Sequence, residues 1–583
     1  MIRGRAPAFR RAGPVGIGHG RIQPRRTPPR ASRRRRGVVK AREALADALA
    51  AAGFDTVFAL LGAANQDLLC DLQDRLGLRV VHGRHESAVV SMADGYARFT
   101  GRPAVATVTA GPGLTNTGTA LAVARSHRSP VLLLAGDTPA GELRNPQHLR
   151  QDAFARALGC RTATLRRAAD LPTVWRAARA TLARGAPFVL NLPADVQQDR
   201  VPWRPGDEPP ERRRPPRRPH ATRVEAAARL LADARRVGIL AGRGALAAGP
   251  ALRELADALP AVLTTTLPAN GLFAGHPHDA GVCGGLGDGR AGPALADCDT
   301  LLAVGTSLHP LSVPPLAPAT TLLRVDRAAG DPADGPRPAL TLHGDAAPTV
   351  RRLADLLGRD RRPGPSLRLP DRASPDPRPY QDTADTLDPR HALLALVPLL
   401  PPGHGVVVGG GHAALTACQS LPAPSPLAWT CVSTDFGAIG QALPVAVGAC
   451  FARAGSRVVH VTGDGDLMMS LAELDTAVRY RLPLTVVVLN DQGFGQERHN
   501  LRRTAAGPGP ADHPSPDLAA LASAFGAAGH RIEGPTELAE LHAAMAHREG
   551  PVLVDIRVNP AYRNPASEAV ARALSHGGPA GRP

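Results

Sequence analysis

The chain has no CxxC pair: its seven cysteines, at positions 70, 160, 283, 298, 418, 431 and 450, are scattered over 583 residues. Such spacing supports neither a zinc site nor a disulfide framework, and it fits a reducing cytoplasm. No apolar run approaches the roughly eighteen residues that a membrane helix needs. With 43% hydrophobic residues, a soluble, core-forming protein is expected. Lysine is almost missing as well. Arginine outnumbers it 68 to one, which fits the codon usage of a GC-rich genome better than a binding surface.

Acidic residues are absent from the first forty positions, which hold twelve Arg and Lys40. Thirteen of the eighteen net positive charges therefore sit there, and the other 543 residues carry only five. That balance argues against nucleic acid as the partner of the folded body. The arm itself has two active readings, a tail for polyanions and an Arg-rich organellar address, but it lacks the continuous apolar stretch of a secretory signal. A disordered extension over 1–37 is the expectation, because domain-like sequence starts abruptly at Val38.

A chain of 583 residues is too long for one core. Two proline-rich, charged stretches, "RPGDEPPERRRPPRRP" and "GRDRRPGPSLRLPDRASPDPRPY", lack apolar periodicity and read as linkers at 204–220 and 358–387. They leave segments 38–203, 221–357 and 388–565, with a tail at 566–583. Each segment alternates short apolar runs with helical patterns. Examples are "PVLLLAG" in the first, "RVGILAG" in the second and "LTVVVLN" in the third. Runs of that kind mark strands buried on both faces of a parallel sheet, so three doubly wound α/β domains are expected. The first and third share a rhythm that a duplication explains.

The densest signal is "VTGDGDLMMSLAEL" at 461–474. "RVVHVT" reads as a strand and "LTVVVLN" as the next one, with Leu471, Leu474 and Val478 at helical spacing between them. The right-handed crossover of such a βαβ unit makes the strands parallel, so Asp464 and the pair Asn490 and Asp491 emerge at one sheet edge. Oxygen ligands suit Mg²⁺ or Ca²⁺ shared with phosphate oxygens. Gly463 and Gly465 permit close backbone approach, and a helix starting near Leu467 offers free amides to a diphosphate. Asp466 would repel that anion, so a helix-capping role is expected for it. Met468 stands where an EF-hand needs its third acidic residue, which excludes that loop.

GDG followed by 24 intervening residues and "NDQGFG" resembles the thiamine diphosphate fingerprint of the acetolactate synthase and benzoylformate decarboxylase superfamily. The resemblance covers most of 38–565 and implies pyrimidine-binding, central and diphosphate-binding domains in that order. It implies Mg²⁺ held by Asp464, Asp491 and the carbonyl of Gly493, with Asp491 standing where the family has asparagine. "GRHESAVVSMADGYARFTGRPAVATVTAGPGLTNTGTA" is similar to the family's pyrimidine-binding segment. It implies Glu86 as the catalytic glutamate and Asn116 as a cofactor contact, and it leaves His85 open between a substrate-facing proton donor and a structural residue. "STDFGAIGQALPVAVGA" implies Ile439 as the wedge between the cofactor's rings and the Gly437 carbonyl as acceptor for its amine. "VVVGGGHAAL" adds Gly411 and His412 on the diphosphate side, together with Gly463, Gly465 and Asp466.

The central segment carries Gly242, Gly244 and Ala247 in a GxGxxA pattern with no acidic residue about twenty positions on, so FAD is not the expectation. By resemblance, the substrate is a 2-oxo acid that loses carbon dioxide, after which the fragment is either protonated or joined to a second carbonyl compound. "LNLPADV" at 190–196 leans toward acetolactate synthase-like ligation, and "LLGAAN" at 60–65 leans toward simple decarboxylation. The resemblance also implies a homodimer or homotetramer with active sites between subunits. Two other classes stay open: a non-catalytic thiamine diphosphate-binding protein, and a nucleic-acid binder that uses the arm.

Overall fold

The computed structural model describes residues 37–568 apart from 204–214, 260, 314–315, 329, 331, 333–334, 359–368, 370–375, 503–508 and 548. Residues 1–36 of the expected arm, most of both linkers and the tail beyond 568 lie outside the described residues; Gly37, the arm's last expected residue, is in a strand. Three six-stranded parallel sheets form, one in each expected domain. The first orders its strands Arg79–His82, Thr56–Ala59, Ala104–Val108, Val131–Asp137, Phe188–Pro193 and Arg161–Thr164. The third orders Trp429–Cys431, Gly405–Val408, Val458–Gly463, Leu484–Asn490, Val552–Arg557 and Ala528–Ile532. Counted from its own first strand, each follows the order 2-1-3-4-6-5, which gives the shared rhythm a structural basis. The central sheet instead follows 3-2-1-4-5-6, the order of dinucleotide-binding folds.

Alternation of strand and helix buries both sheet faces, so the inner strands are dominated by apolar residues, as in the "VVVL" of 486–489 and the "VLLLA" of 131–135. An antiparallel pair, Gly37–Lys40 with Arg200–Trp203, ties the two ends of the first domain together. All seven cysteines are free thiols. Among the described residues no helix is long and apolar enough to cross a membrane.

In the central domain the GxGxxA glycines have a packing cause. A Cβ on Gly242 would lie 2.4 Å from the Gly305 carbonyl oxygen, and one on Gly244 would lie 2.9 Å from Gly305 Cα. Two backbone segments touch there, and only glycine leaves room for them.

The first and third domains meet through two helices, Glu86–Thr100 and Ala442–Ala452. The second helix, "ALPVAVGACFA", is apolar all round and therefore needs cover on every side. Their closest approach is set by two glycines: a Cβ on Gly95 would fall 2.1 Å from the Val445 oxygen, and one on Gly448 would fall 1.9 Å from the Met92 oxygen. Val89, Met92, Val445 and Phe451 belong to one continuous core shared by both domains. Beside the crossing, buried Arg98 binds Asp94 at 2.7 Å and Asp435 at 2.7 Å. Burial alone would raise the Asp435 carboxyl, but Arg98 and His127 outweigh it and hold the group at about 2.

Candidate active site

Strands Val458–Gly463 and Leu484–Asn490 are parallel neighbours, with Gly463 opposite Leu489, so Asp464 and Asp491 leave the sheet at one edge as the crossover argument requires. Both side chains are buried, Asp464 at 1% exposure and Asp491 at 8%. Asp464 Oδ2 accepts from the Gly493 N–H at 3.1 Å and from Ser515 Oγ at 2.8 Å. Arg498 reaches Asp491 at 3.3 Å. Burial pushes the Asp491 carboxyl up, the neighbouring charge of Asp464 adds to that, and Arg498 only partly opposes it, leaving the group at about 7. Burial also raises Asp464. Arg498 is itself divided between Asp491 and Asp512, and among the described residues no arginine reaches Asp464, so the two enclosed carboxylates are under-compensated and could accept a divalent cation.

Gly493 belongs to the same edge. Its carbonyl oxygen lies 3.7 Å from where a Cβ on Gly465 would be, and a Cβ on Gly493 itself would strike the Ala511 oxygen at 2.3 Å. Among the described residues no group of three or more His, Cys, Asp or Glu side chains converges. Two carboxylates and a main-chain carbonyl could serve as donors here, with positions left for phosphate oxygens. Nothing in the sequence marks Ser515 or Arg498, which act across a loop and a helix turn.

Three sequence expectations around this edge need correction. The helix after the glycines begins at Asp464, not near Leu467, and ends at Met468; a second helix, Glu473–Arg479, follows a turn. Asp466 does not cap a helix, since the cap position is Gly463. Nor is Asp466 free to contact an anion. Its Oδ2 accepts from the Gly410 N–H at 2.6 Å and from Thr462 Oγ1 at 2.7 Å, and its Oδ1 accepts from the Gly440 N–H at 2.5 Å. The awkward negative charge is consumed in tying the Gly410 loop to the Gly440 loop.

The diphosphate side has the form of a cradle. Gly411 has φ 74°, precedes helix His412–Ser420, and faces open space where a Cβ would point. Gly463 is similarly open, with only the Leu489 oxygen 4.0 Å away. Gly465 differs, because the Phe494 ring would meet its Cβ at 2.9 Å. Neither ring nitrogen of half-buried His412 makes a well-formed hydrogen bond, nor does His499 Nε2; the Tyr562 backbone lies near both rings, which are 4.7 Å apart. Burial, then the neighbouring His499, pushes His412 down to about 4, so it is neutral near pH 7. Orphaned buried polar atoms are costly and call for a partner.

Ile439 is half-buried and leans over Gly410, where a Cβ would lie 2.4 Å from its Cγ2. Gly437, with φ 75°, faces open space; Phe436 beside it in sequence is exposed, as are Met468 and Met469, the latter packed against Gly440. Glu86 opens the helix that meets this loop. Asn116 Nδ2 donates to its Oε2 at 3.0 Å, and Ser87 and Ser91 both donate to Gln441 Oε1, at 2.9 and 2.8 Å. Ser87 and Ser91 therefore tie the first turns of the Glu86 helix to Gln441 within one polypeptide. His85 is the helix N-cap: its Nδ1 accepts from the Ser87 N–H at 3.1 Å, which places the ring proton on the exposed Nε2.

Fold and site together define a three-domain α/β protein whose related first and third domains meet beside a paired-carboxylate edge. Comparison with known proteins agrees. The N-terminal TPP-binding, central and C-terminal TPP-binding domains of thiamine pyrophosphate enzymes match residues 39–157, 224–353 and 409–556. Acetolactate synthase isozyme 2 large subunit of Escherichia coli K12 is 30% identical over 538 residues, 88% of this chain and 94% of that protein. Acetolactate synthase of Mycobacterium bovis is 29% identical over 533 residues, 87% and 86% of the two chains. The thiamine diphosphate-dependent 4-hydroxybenzoylformate decarboxylase of Rhodococcus jostii RHA1 superposes with a TM-score of 0.76 at 23% identity, over 89% of this chain and 99% of that one, and so shares the fold. The chain belongs to the thiamine pyrophosphate enzyme family.

Proposed function

We propose that this chain is a thiamine diphosphate- and Mg²⁺-dependent enzyme that decarboxylates a 2-oxo acid and joins the remaining fragment to a second carbonyl compound, in the manner of acetolactate synthase. The observation that carries the reading is the under-compensated pair Asp464 and Asp491, buried together at one sheet edge with Arg498 alone among the described residues opposing Asp491. Asp464, Asp491 and the Gly493 carbonyl would hold Mg²⁺, while the free amides at Gly411 and His412 would hold the diphosphate. When bound, thiamine diphosphate supplies the nucleophilic thiazolium carbon and the electron sink for loss of carbon dioxide.

The chain's own residues do the rest. Glu86, oriented by Asn116, holds a proton at a pyrimidine ring nitrogen. Ile439 wedges the cofactor's rings together, braced on the loops that Asp466 clamps. His85 presents its exposed Nε2–H as a proton donor to substrate. The apolar side chains of Phe436, Met468 and Met469 exclude water from the reacting carbon.

A second reading, simple decarboxylation, is favoured by the "LLGAAN" turn, where Leu61 is 60% exposed in place of a compact glycine turn. Product analysis with pyruvate and with benzoylformate, each with and without an acceptor aldehyde, separates the two. Acetolactate from pyruvate alone supports ligation; an aldehyde as sole product under every condition supports decarboxylation. The oligomer is proposed to be at least a dimer with sites between subunits, and mixing inactive Glu86→Gln and Asp464→Asn chains tests it. Activity regained on mixing supports a shared site, whereas none regained means that each site lies within one polypeptide.

A further inference from the structure

We infer that Glu473 is a positioning residue that fixes the backbone presenting Glu86, so that the third domain of the same chain controls the proton work that Glu86 does. The inference rests on the proposed function. Glu473 is 1% exposed and stands nine residues after Asp464, at the start of helix Glu473–Arg479. Its Oε1 accepts from the Arg84 N–H at 2.9 Å, and its Oε2 accepts from Thr476 Oγ1 at 2.7 Å. The His85 N–H also faces this carboxylate. Two neighbours extend the grip: Tyr480 Oη accepts from the His82 N–H at 2.9 Å, and Asp475 binds Arg84 Nε at 2.6 Å. Residues 82, 84 and 85 are thus all held by one short stretch of the third domain, directly before Glu86.

Adhesion between the domains does not account for this arrangement. The Gly95 and Gly448 crossing and the shared apolar core already supply it. Taking a carboxylate out of water is costly, and burial is the first influence on Glu473, pushing its carboxyl up against the pull of the amides and of Arg479. What a buried carboxylate adds is direction. An acceptor aimed at the Arg84 and His85 amides fixes the dihedral angles through which Glu86 projects. Gly83, between the gripped residues, packs on the Val89 side chain, which a Cβ there would strike at 2.7 Å, while Glu473 Oε2 would lie at an ordinary 3.5 Å. No sequence motif marks this role, because the partners are backbone amides nearly four hundred positions away.

The test uses full-length protein loaded with Mg²⁺ and thiamine diphosphate. Deuterium exchange at the thiazolium carbon, followed by rapid-quench NMR, reads Glu86's proton work without any substrate; calorimetry reads cofactor affinity. Glu473→Ala is expected to slow exchange at least tenfold while cofactor Kd stays within threefold of wild type. Glu473→Gln, which keeps one acceptor and the side-chain shape, is expected to lie between and carries the test if the alanine variant does not fold. In a Glu86→Gln background, Glu473→Gln is expected to slow exchange no further. Wild-type exchange in both Glu473 variants, or an equal fold-loss with and without Glu86, overturns the inference. Wild-type exchange in Glu86→Gln alone overturns the proposed function itself, so the two failures are distinguishable.

Discussion

Replacing Asp491 with asparagine, the residue that the family carries at this position, is expected to stabilise the metal-free protein while shrinking, not abolishing, the stabilisation that metal provides. In the fold the Asp491 carboxyl is held at about 7 by burial and by Asp464, against an ordinary value near 3.9. A folded-state value above the unfolded one means that the native protein holds the proton more tightly, so stability falls as pH rises from about 4 to about 7 and stays low above that. At about 1.4 kcal/mol per pH unit, the ionised side chain costs on the order of 4 kcal/mol at pH 8 and roughly 1.5 kcal/mol at pH 5. Asparagine keeps the shape without the charge. In EDTA at pH 8 the variant should therefore unfold several degrees above wild type, taking ~2–4 °C per kcal/mol for a domain of this size. The gap should narrow by more than half at pH 5. Adding Mg²⁺ and thiamine diphosphate should narrow the gap, because the cation neutralises in wild type the charge that the variant already lacks. The assay is a thermal melt at the two pH values, with chelator and with the loaded pair. A variant that melts at or below wild type in EDTA at pH 8, or a gap that does not change with pH, would refute the reasoning.

Other perturbations have equally definite outcomes. Gly448→Ala drives a Cβ to 1.9 Å from the Met92 oxygen; it should cost ~2 kcal/mol or more and expose the helix crossing to limited proteolysis. Asp466→Asn weakens the bonds to Gly410 and Gly440, charge-assisted contacts worth about 1.5–3 kcal/mol each, and calorimetry should show cofactor affinity falling tenfold or more. Arg98→Met leaves Asp94 and Asp435 buried without their cation, a break that costs roughly 3–5 kcal/mol and lowers the melting midpoint with or without cofactor.

Central strands were legible in the sequence because both faces are buried and their composition is correspondingly apolar. Edge strands were not. Ala528–Ile532 is "AGHRI", mostly half-exposed, and Arg161–Thr164 is "RTAT", with no fully buried residue, so neither has a continuous apolar run. The site divides in the same way. Asp464 and Asp491 follow from strand order alone, since parallel neighbours release their next residues at one edge. Asp466 misled, because spacing places it beside an anion while the tertiary fold turns both its oxygens onto amides 26 and 56 residues away. Local pattern likewise continued a helix through 469–472, where the backbone turns instead. The GxGxxA loop shows the converse: a ligand-like pattern whose glycines answer to the Gly305 backbone.

Titration of thiamine diphosphate into full-length protein by calorimetry, with Mg²⁺ and then with EDTA, probes the paired-carboxylate site most directly. The site as described requires saturable uptake with Mg²⁺, little or none in EDTA, and none by Asp464→Asn under either condition. Equal uptake with and without the metal, or no uptake by folded wild-type protein, would contradict it.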